Sequence, residues 1–180
     1  MGGETMYIAS VPSQLPSGEP VPPDGALPEA ALGELRKRSF SLYLHVPFCR
    51  SRCGYCDFNT YTASELHGMS AGDYVSAALR EIDLAARVLG EDAPSAETVF
   101  VGGGTPTLLP ADDLTRLLEA IRDHFGLANG AEITTEANPD TVTPEYFTSL
   151  REAGFTRISL GMQSAVPHVL EVLERAHTPG

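Results

Sequence analysis

Tryptophan is absent from this 180-residue chain, cysteine occurs only three times, and basic side chains are half as numerous as acidic ones. Twelve Lys and Arg against 24 Asp and Glu leave a formal charge of −12. Counterion release from a phosphate backbone needs a basic footprint, so nucleic acid is not expected as a partner. No apolar run approaches the ~18 residues of a membrane-spanning helix, so no membrane span is expected. The amino terminus, MGGETMYIASVPSQ, lacks the basic and then apolar stretches of a secretion signal. Met6 also stands where a myristoylation motif beginning at Gly2 wants Ser or Thr. An odd number of thiols excludes a closed disulfide framework. Clustered thiols without a secretion signal fit a reducing cytoplasm.

What remains is long enough, at 42% apolar, for one domain with a real core. Residues 1–38 differ from the rest. Six prolines fall there (Pro12, Pro16, Pro20, Pro22, Pro23, Pro28) with few large apolar groups between them. That composition buries too little surface to offset ordering entropy and predicts a flexible extension, leaving 39–180 as the core domain. From residue 39 strand and helix patterns alternate. Phe40–Val46 reads as a strand, Asp73–Leu89 as a helix stopped by Gly90, and Thr98–Val101 as a short buried strand before Gly102. Asp112–Phe125 carries Leu114, Leu117, Leu118, Ile121 and Phe125 at helical spacing, and Glu132–Glu136 reads as a third strand. Thr143 caps the next helix with Pro144 at its first position and Gly154 after its end. Arg157–Gly161 is a fourth strand, and a fourth helix spans Val166–Arg175.

Four βα units in succession predict an α/β fold with a parallel sheet and right-handed crossovers. The functional edge of such a sheet lies at the carboxyl ends of its strands. The unusual residues gather there: the cysteines after strand one, the glycines after strand two, Glu136 with Asn138-Pro139 after strand three, and Gln163 after strand four. The last strand's outer edge is unpaired in this reading, and HTPG supplies nothing to cover it. The 180 residues are therefore expected to be the amino-terminal part of a longer protein, or to need a partner at that edge.

All three thiols, Cys49, Cys53 and Cys56, fall within "CRSRCGYCDF". Three readings suit C-x3-C-x2-C: structural zinc completed by His45 or His67, merely buried thiols, or an iron–sulfur cluster with one iron open. Structural zinc sites usually present paired C-x2-C knuckles, and only one run is present. Three thiolates with an open iron leave a coordination position for a chelating ligand beside an electron source. The spacing, with Tyr55 just before the last cysteine, resembles the radical S-adenosylmethionine superfamily. That resemblance implies a [4Fe–4S] cluster whose open iron takes the amino and carboxylate groups of S-adenosylmethionine. Electron transfer then cleaves the sulfonium to a 5′-deoxyadenosyl radical.

Further motifs narrow the resemblance: YLHVPFC at 43–49, VGGGTPT at 101–107, TEANPD at 135–140 and SLGMQS at 159–164. With CGYCDF at 53–58 they are similar, from about Phe40 onward, to the coproporphyrinogen III oxidase-like group and, within it, to its haem-chaperone branch. The resemblance implies a partial (β/α)6 barrel followed by a further domain, of which about four βα units are present here. It assigns Cys49, Cys53 and Cys56 to the cluster, and Tyr43, Gly103 and Glu136 to the first S-adenosylmethionine. Positions matching a second S-adenosylmethionine are Tyr55, Gly104, Thr105, Gln163 and Arg175. His45 belongs at the same mouth, either fixing the cluster loop or acting directly.

Two function classes follow from the resemblance. One is a haem chaperone that delivers haem to an acceptor protein. The other is an oxygen-independent oxidase that decarboxylates porphyrinogen propionates. Both imply a haem or porphyrin ligand and a low-potential electron donor. The oxidase pattern continues with a fourth thiol two residues after the third; here that position is Phe58, which favours the chaperone. A radical enzyme acting on RNA is disfavoured by the acidic balance.

Overall fold

The computed structural model describes residues 20–175 apart from 21, 36, 63, 66, 67, 69 and 92. Strand β1 (Ser41–Val46) forms where apolar side chains alternate with polar or exposed ones, burying Leu44 and Val46 and leaving Tyr43 and His45 on the other face. It pairs in parallel with β4 (Ala96–Gly103), setting Tyr43 opposite Phe100 and His45 opposite Gly102. Strand β5 (Leu127–Ala137) pairs with β4, and β6 (Arg157–Leu160) with β5, both in parallel, giving the order β1-β4-β5-β6. The cysteine run leaves β1 through β2 (Phe48–Cys49), which pairs with β3 (Tyr61–Thr62) as a separate two-stranded ribbon.

Helices α2 (Ala71–Leu89), α3 (Ala111–Phe125) and α4 (Pro144–Ala153) share one core with the sheet. Val75 and Ile82 from α2, five residues of α3 and Leu150 from α4 meet Val46, Val99, Val101 and Ile133 there. The helical apolar stripe of α3 falls on Leu114, Leu117, Leu118, Ile121 and Phe125, all buried, as its spacing predicts. Thr143 accepts a hydrogen bond from the Tyr146 amide, and Gly154 closes α4 at φ 110°, matching the predicted cap and stop.

Several boundaries differ from the sequence reading. β4 runs on through Gly102 and Gly103 because both continue to pair with β1. β5 begins at Leu127, paired with Ala96, although Asn129 and Gly130 give it no strand pattern. Helix α2 starts at Ala71, since Ser70 and Asp73 form a reciprocal capping box. Helix α5 is only Pro167–Val172, because Glu174 adopts a left-handed φ of 55° and turns the chain back. Within the proline-rich segment, residues 29–35 (EAALGEL), rich in Glu, Ala and Leu, make helix α1 (Glu29–Leu35) despite Gly33, and it buries no residue. Residues 1–19, His67 and 176–180, which bear on the extension, the zinc alternative and the chain's end, lie outside the described residues.

Candidate functional site

The carboxyl ends of β1, β4, β5 and β6 open into one cleft of about 740 Å³, inside the ~300–1,000 Å³ range of small-molecule sites. Cys49, Cys53, Cys56, Tyr55, Gly103, Gly104, Thr105, Glu136, Gln163 and Arg175 all line it, as does Phe58. Tyr43 does not. Its hydroxyl donates to His45 Nδ1 at 2.8 Å and its ring stacks on Phe100. Burial, and then the charge of Glu136, raise the Tyr43 phenol above its ordinary pKa.

Backbone contacts hold the cysteine loop on the glycine turn. The Gly104 amide donates to the Val46 carbonyl at 2.8 Å and the Thr105 amide to the Phe48 carbonyl at 2.7 Å. A Cβ at Gly104 would overlap the Phe48 carbonyl and stand 3.0 Å from Cys49 Sγ. Gly103 has φ 115°, and its amide donates to Glu136 Oε2 at 3.0 Å, so the turn and the β5 carboxylate are one unit.

His45 is fully used. With its Nε2 proton on the Asn59 carbonyl (2.7 Å), Nδ1 is the acceptor of the Tyr43 hydroxyl. It fixes the far end of the cysteine loop, with both ring nitrogens engaged by Tyr43 and Asn59. Among the described residues no group of three His, Cys, Asp or Glu side chains is gathered to hold a metal ion, and the thiols instead border a wider space. Burial pushes the Cys49 thiol up, with Thr60 opposing it. Tyr55 is raised likewise, by burial first and then by Cys53.

Sequence reasoning passed over Thr60, which is buried, 3.9 Å from Cys56 Sγ, and sits beside Cys49. A lone threonine in a polar loop carries no pattern that marks it. Asn138 was visible as Asn-Pro, but its role was not. Its amide donates to Thr105 Oγ1 at 3.2 Å and its carbonyl oxygen accepts from Arg175, tying three loops together.

The family profile described as the radical SAM superfamily matches residues 43–180. The heme chaperone HemW of Mycobacterium tuberculosis is 49% identical over 175 residues, covering 97% of this chain and 41% of its own length. HemW of Escherichia coli is 41% identical over 140 residues, covering 77% of this chain and 36% of its own. The chain thus spans well under half the length of these relatives. The solved coproporphyrinogen III oxidase (HemN) of Escherichia coli, described as a radical SAM enzyme, superposes with a TM-score of 0.72 at 29% identity. That match covers 86% of this chain and 35% of the other.

Proposed function

The chain belongs to the radical S-adenosylmethionine superfamily, and from that membership we propose that it is the core of a haem chaperone. In this reading residues 39–180 hold a [4Fe–4S] cluster on Cys49, Cys53 and Cys56, and residues 1–38 are an extension. The observation that carries the reading is that three thiols and no fourth border one cleft beside a glycine turn and a carboxylate. Such a set leaves one iron open, and the cluster, when bound, supplies the electron that cleaves the sulfonium of S-adenosylmethionine.

The chain's own residues bind and orient. Gly103 and Gly104 bring backbone close to the ligand, and Glu136, held by the Gly103 amide, offers its second oxygen to a ribose hydroxyl. Tyr43 orients His45, and His45 in turn holds the loop at Asn59. Thr105, Tyr55 and Gln163 complete the wall where a second S-adenosylmethionine would lie. Phe58, 70% exposed at the cleft, gives an apolar face to a flat macrocycle and has no group for proton or radical transfer. Haem, a haem-acceptor protein and a low-potential electron donor are the proposed partners, with the cytoplasm as compartment. Among the described residues, no helix is long and apolar enough to cross a membrane.

The likeness to the oxidase supports the second reading, decarboxylation of coproporphyrinogen III. One experiment separates them. Anaerobic reconstitution of the full chain should yield one [4Fe–4S] cluster and bound haem, with no vinyl product when coproporphyrinogen III, S-adenosylmethionine and a strong reductant are supplied. Replacing Cys49, Cys53 or Cys56 by Ala should abolish the cluster, since no other thiol is available. Product over several turnovers overturns the chaperone reading; stoichiometric zinc without labile sulfide overturns both.

A further inference from the structure

The three cleft thiols have unequal neighbours. Cys56 Sγ faces the Thr60 hydroxyl, and Cys49 lies beside the hydroxyls of Thr60 and Thr105. Cys53 meets the Tyr55 hydroxyl and, in addition, a cation: Arg175 Nη1 donates to its sulfur at 3.6 Å. A hydroxyl contributes a dipole. A guanidinium contributes a whole charge that stays on at any working pH.

That cation is held firmly. Arg175 Nη2 donates to Asn138 Oδ1 at 2.9 Å and also to the Gly161 carbonyl, so the fork spans the cysteine run and the loops after β5 and β6. The left-handed turn at Glu174 delivers it, and the Arg175 amide closes back on the Leu170 carbonyl at 2.9 Å. Among the described residues Arg175 forms no ion pair, and its Nε is buried without a hydrogen-bond partner. Among the described residues, then, no carboxylate offsets its charge beside the sulfur. The resemblance gives Arg175 to a second S-adenosylmethionine; here Nη2 spends both its protons on Asn138 and Gly161, and Nη1 spends one on Cys53.

We propose that Arg175 is a positioning residue that raises the reduction potential of the cluster by holding a permanent positive charge against the Cys53 sulfur. The inference rests on the cluster assigned above. One electron from a low-potential one-electron donor makes the cluster one unit more negative, and the neighbouring cation stabilises that reduced form. Hydrogen bonds to the sulfurs and local charge are the levers by which a protein sets such a potential. The consequence is a cluster that accepts an electron from weaker donors and retains it longer.

The test is an anaerobic potentiometric titration of the reconstituted full chain, comparing wild type with Arg175→Lys, Arg175→Gln and Arg175→Met, alongside iron and sulfide content. Gln and Met should shift the midpoint to more negative values, while Lys, which keeps the charge, should stay close to wild type. Loss of the cluster in Gln and Met leaves no midpoint to compare, makes Arg175 an assembly element and overturns the inference. Unchanged midpoints in all three overturn the inference, as does a Lys midpoint as negative as that of Gln. Loss of the cluster in Lys as well as Gln makes Arg175 a structural tie and overturns it too. Failure of wild type to assemble a cluster instead sinks the functional reading on which it rests.

Discussion

At the scale of single residues, the glycines of the turn act in different ways. Gly104 is required by two backbones meeting: a methyl there would strike the Phe48 carbonyl and crowd Cys49 Sγ at 3.0 Å. Gly104→Ala should therefore displace the first cysteine and lower iron content after reconstitution. Gly103 lies at φ 115°, where a Cβ would also stand 2.7 Å from His45 Cε1. Gly103→Ala should cost about 1–3 kcal/mol of stability, read as a lower urea midpoint. The run of glycines was legible in the sequence as a place of close approach, but a ligand and another loop ask for the same residue there. Only the contacts to Phe48 and His45 distinguish the two demands. Tyr74 gives a pH test nearby. Its hydroxyl donates to the His45 carbonyl at 2.8 Å, and burial, then the charge of Glu81, push its pKa from 10.0 to about 12. A folded pKa above the unfolded one means a contribution that is full below about pH 10 and lost as pH rises to about 12. Tyr74→Phe should cost about 1 kcal/mol near neutrality and flatten part of that alkaline fall in thermal midpoint. Tyr146, raised further by burial, keeps part of the slope, together with Tyr43, Tyr55 and Cys49, which burial also raises.

At the scale of elements, the helices were readable because their periodicity is a direct image of one buried face. All five apolar positions of α3 picked out by spacing are in the core. Leu117, 1% exposed, should cost about 2–5 kcal/mol as Leu117→Ala, with the urea midpoint falling accordingly. Ser70→Ala breaks only a cap and should cost about 1 kcal/mol. A cap variant that matched the core variant would mean that α2 is held by its end rather than by Val75 and Ile82. The strands were less readable at their ends. Leu127 pairs with Ala96 of β4 and residues 128–131 fill the register shift before Glu132, an extension of β5 that no hydrophobic alternation announces. The helix expected over Val166–Arg175 ends early, at Val172, for a related reason. Apolar spacing continues past Val172, but the turn at Glu174 directs Arg175 to Cys53 and ends the helix.

At the scale of the whole molecule, fold and site occupy different parts of the same sheet. The core is formed by one face of the strands with α2, α3 and α4, and none of the three cysteines belongs to it. The cleft is built from loops at the strand ends, among which the cysteine run has little regular structure beyond the two-residue strands β2 and β3. Its outer latches are ion pairs of partly exposed side chains, Arg50 with Asp140 and Arg52 with Glu65. Pairs of this kind contribute roughly 0–1 kcal/mol each, so between its anchors at Phe48 and Asn59 the loop opens locally more readily than the core unfolds. The ligands proposed for the cluster bracket both arginines, Cys49 before Arg50 and Cys53 and Cys56 after Arg52. With those ligands joined through one cluster, opening the loop means breaking iron–sulfur bonds. Stripping the cluster with a chelator should therefore accelerate tryptic cleavage after Arg50 and Arg52, identified by fragment mass. The far-UV circular dichroism and the urea midpoint should change little, because the buried face loses no contact. A zinc-finger-like outcome, with chelation unfolding the chain outright, would show that the core depends on the cluster and that this separation of scaffold from site is wrong.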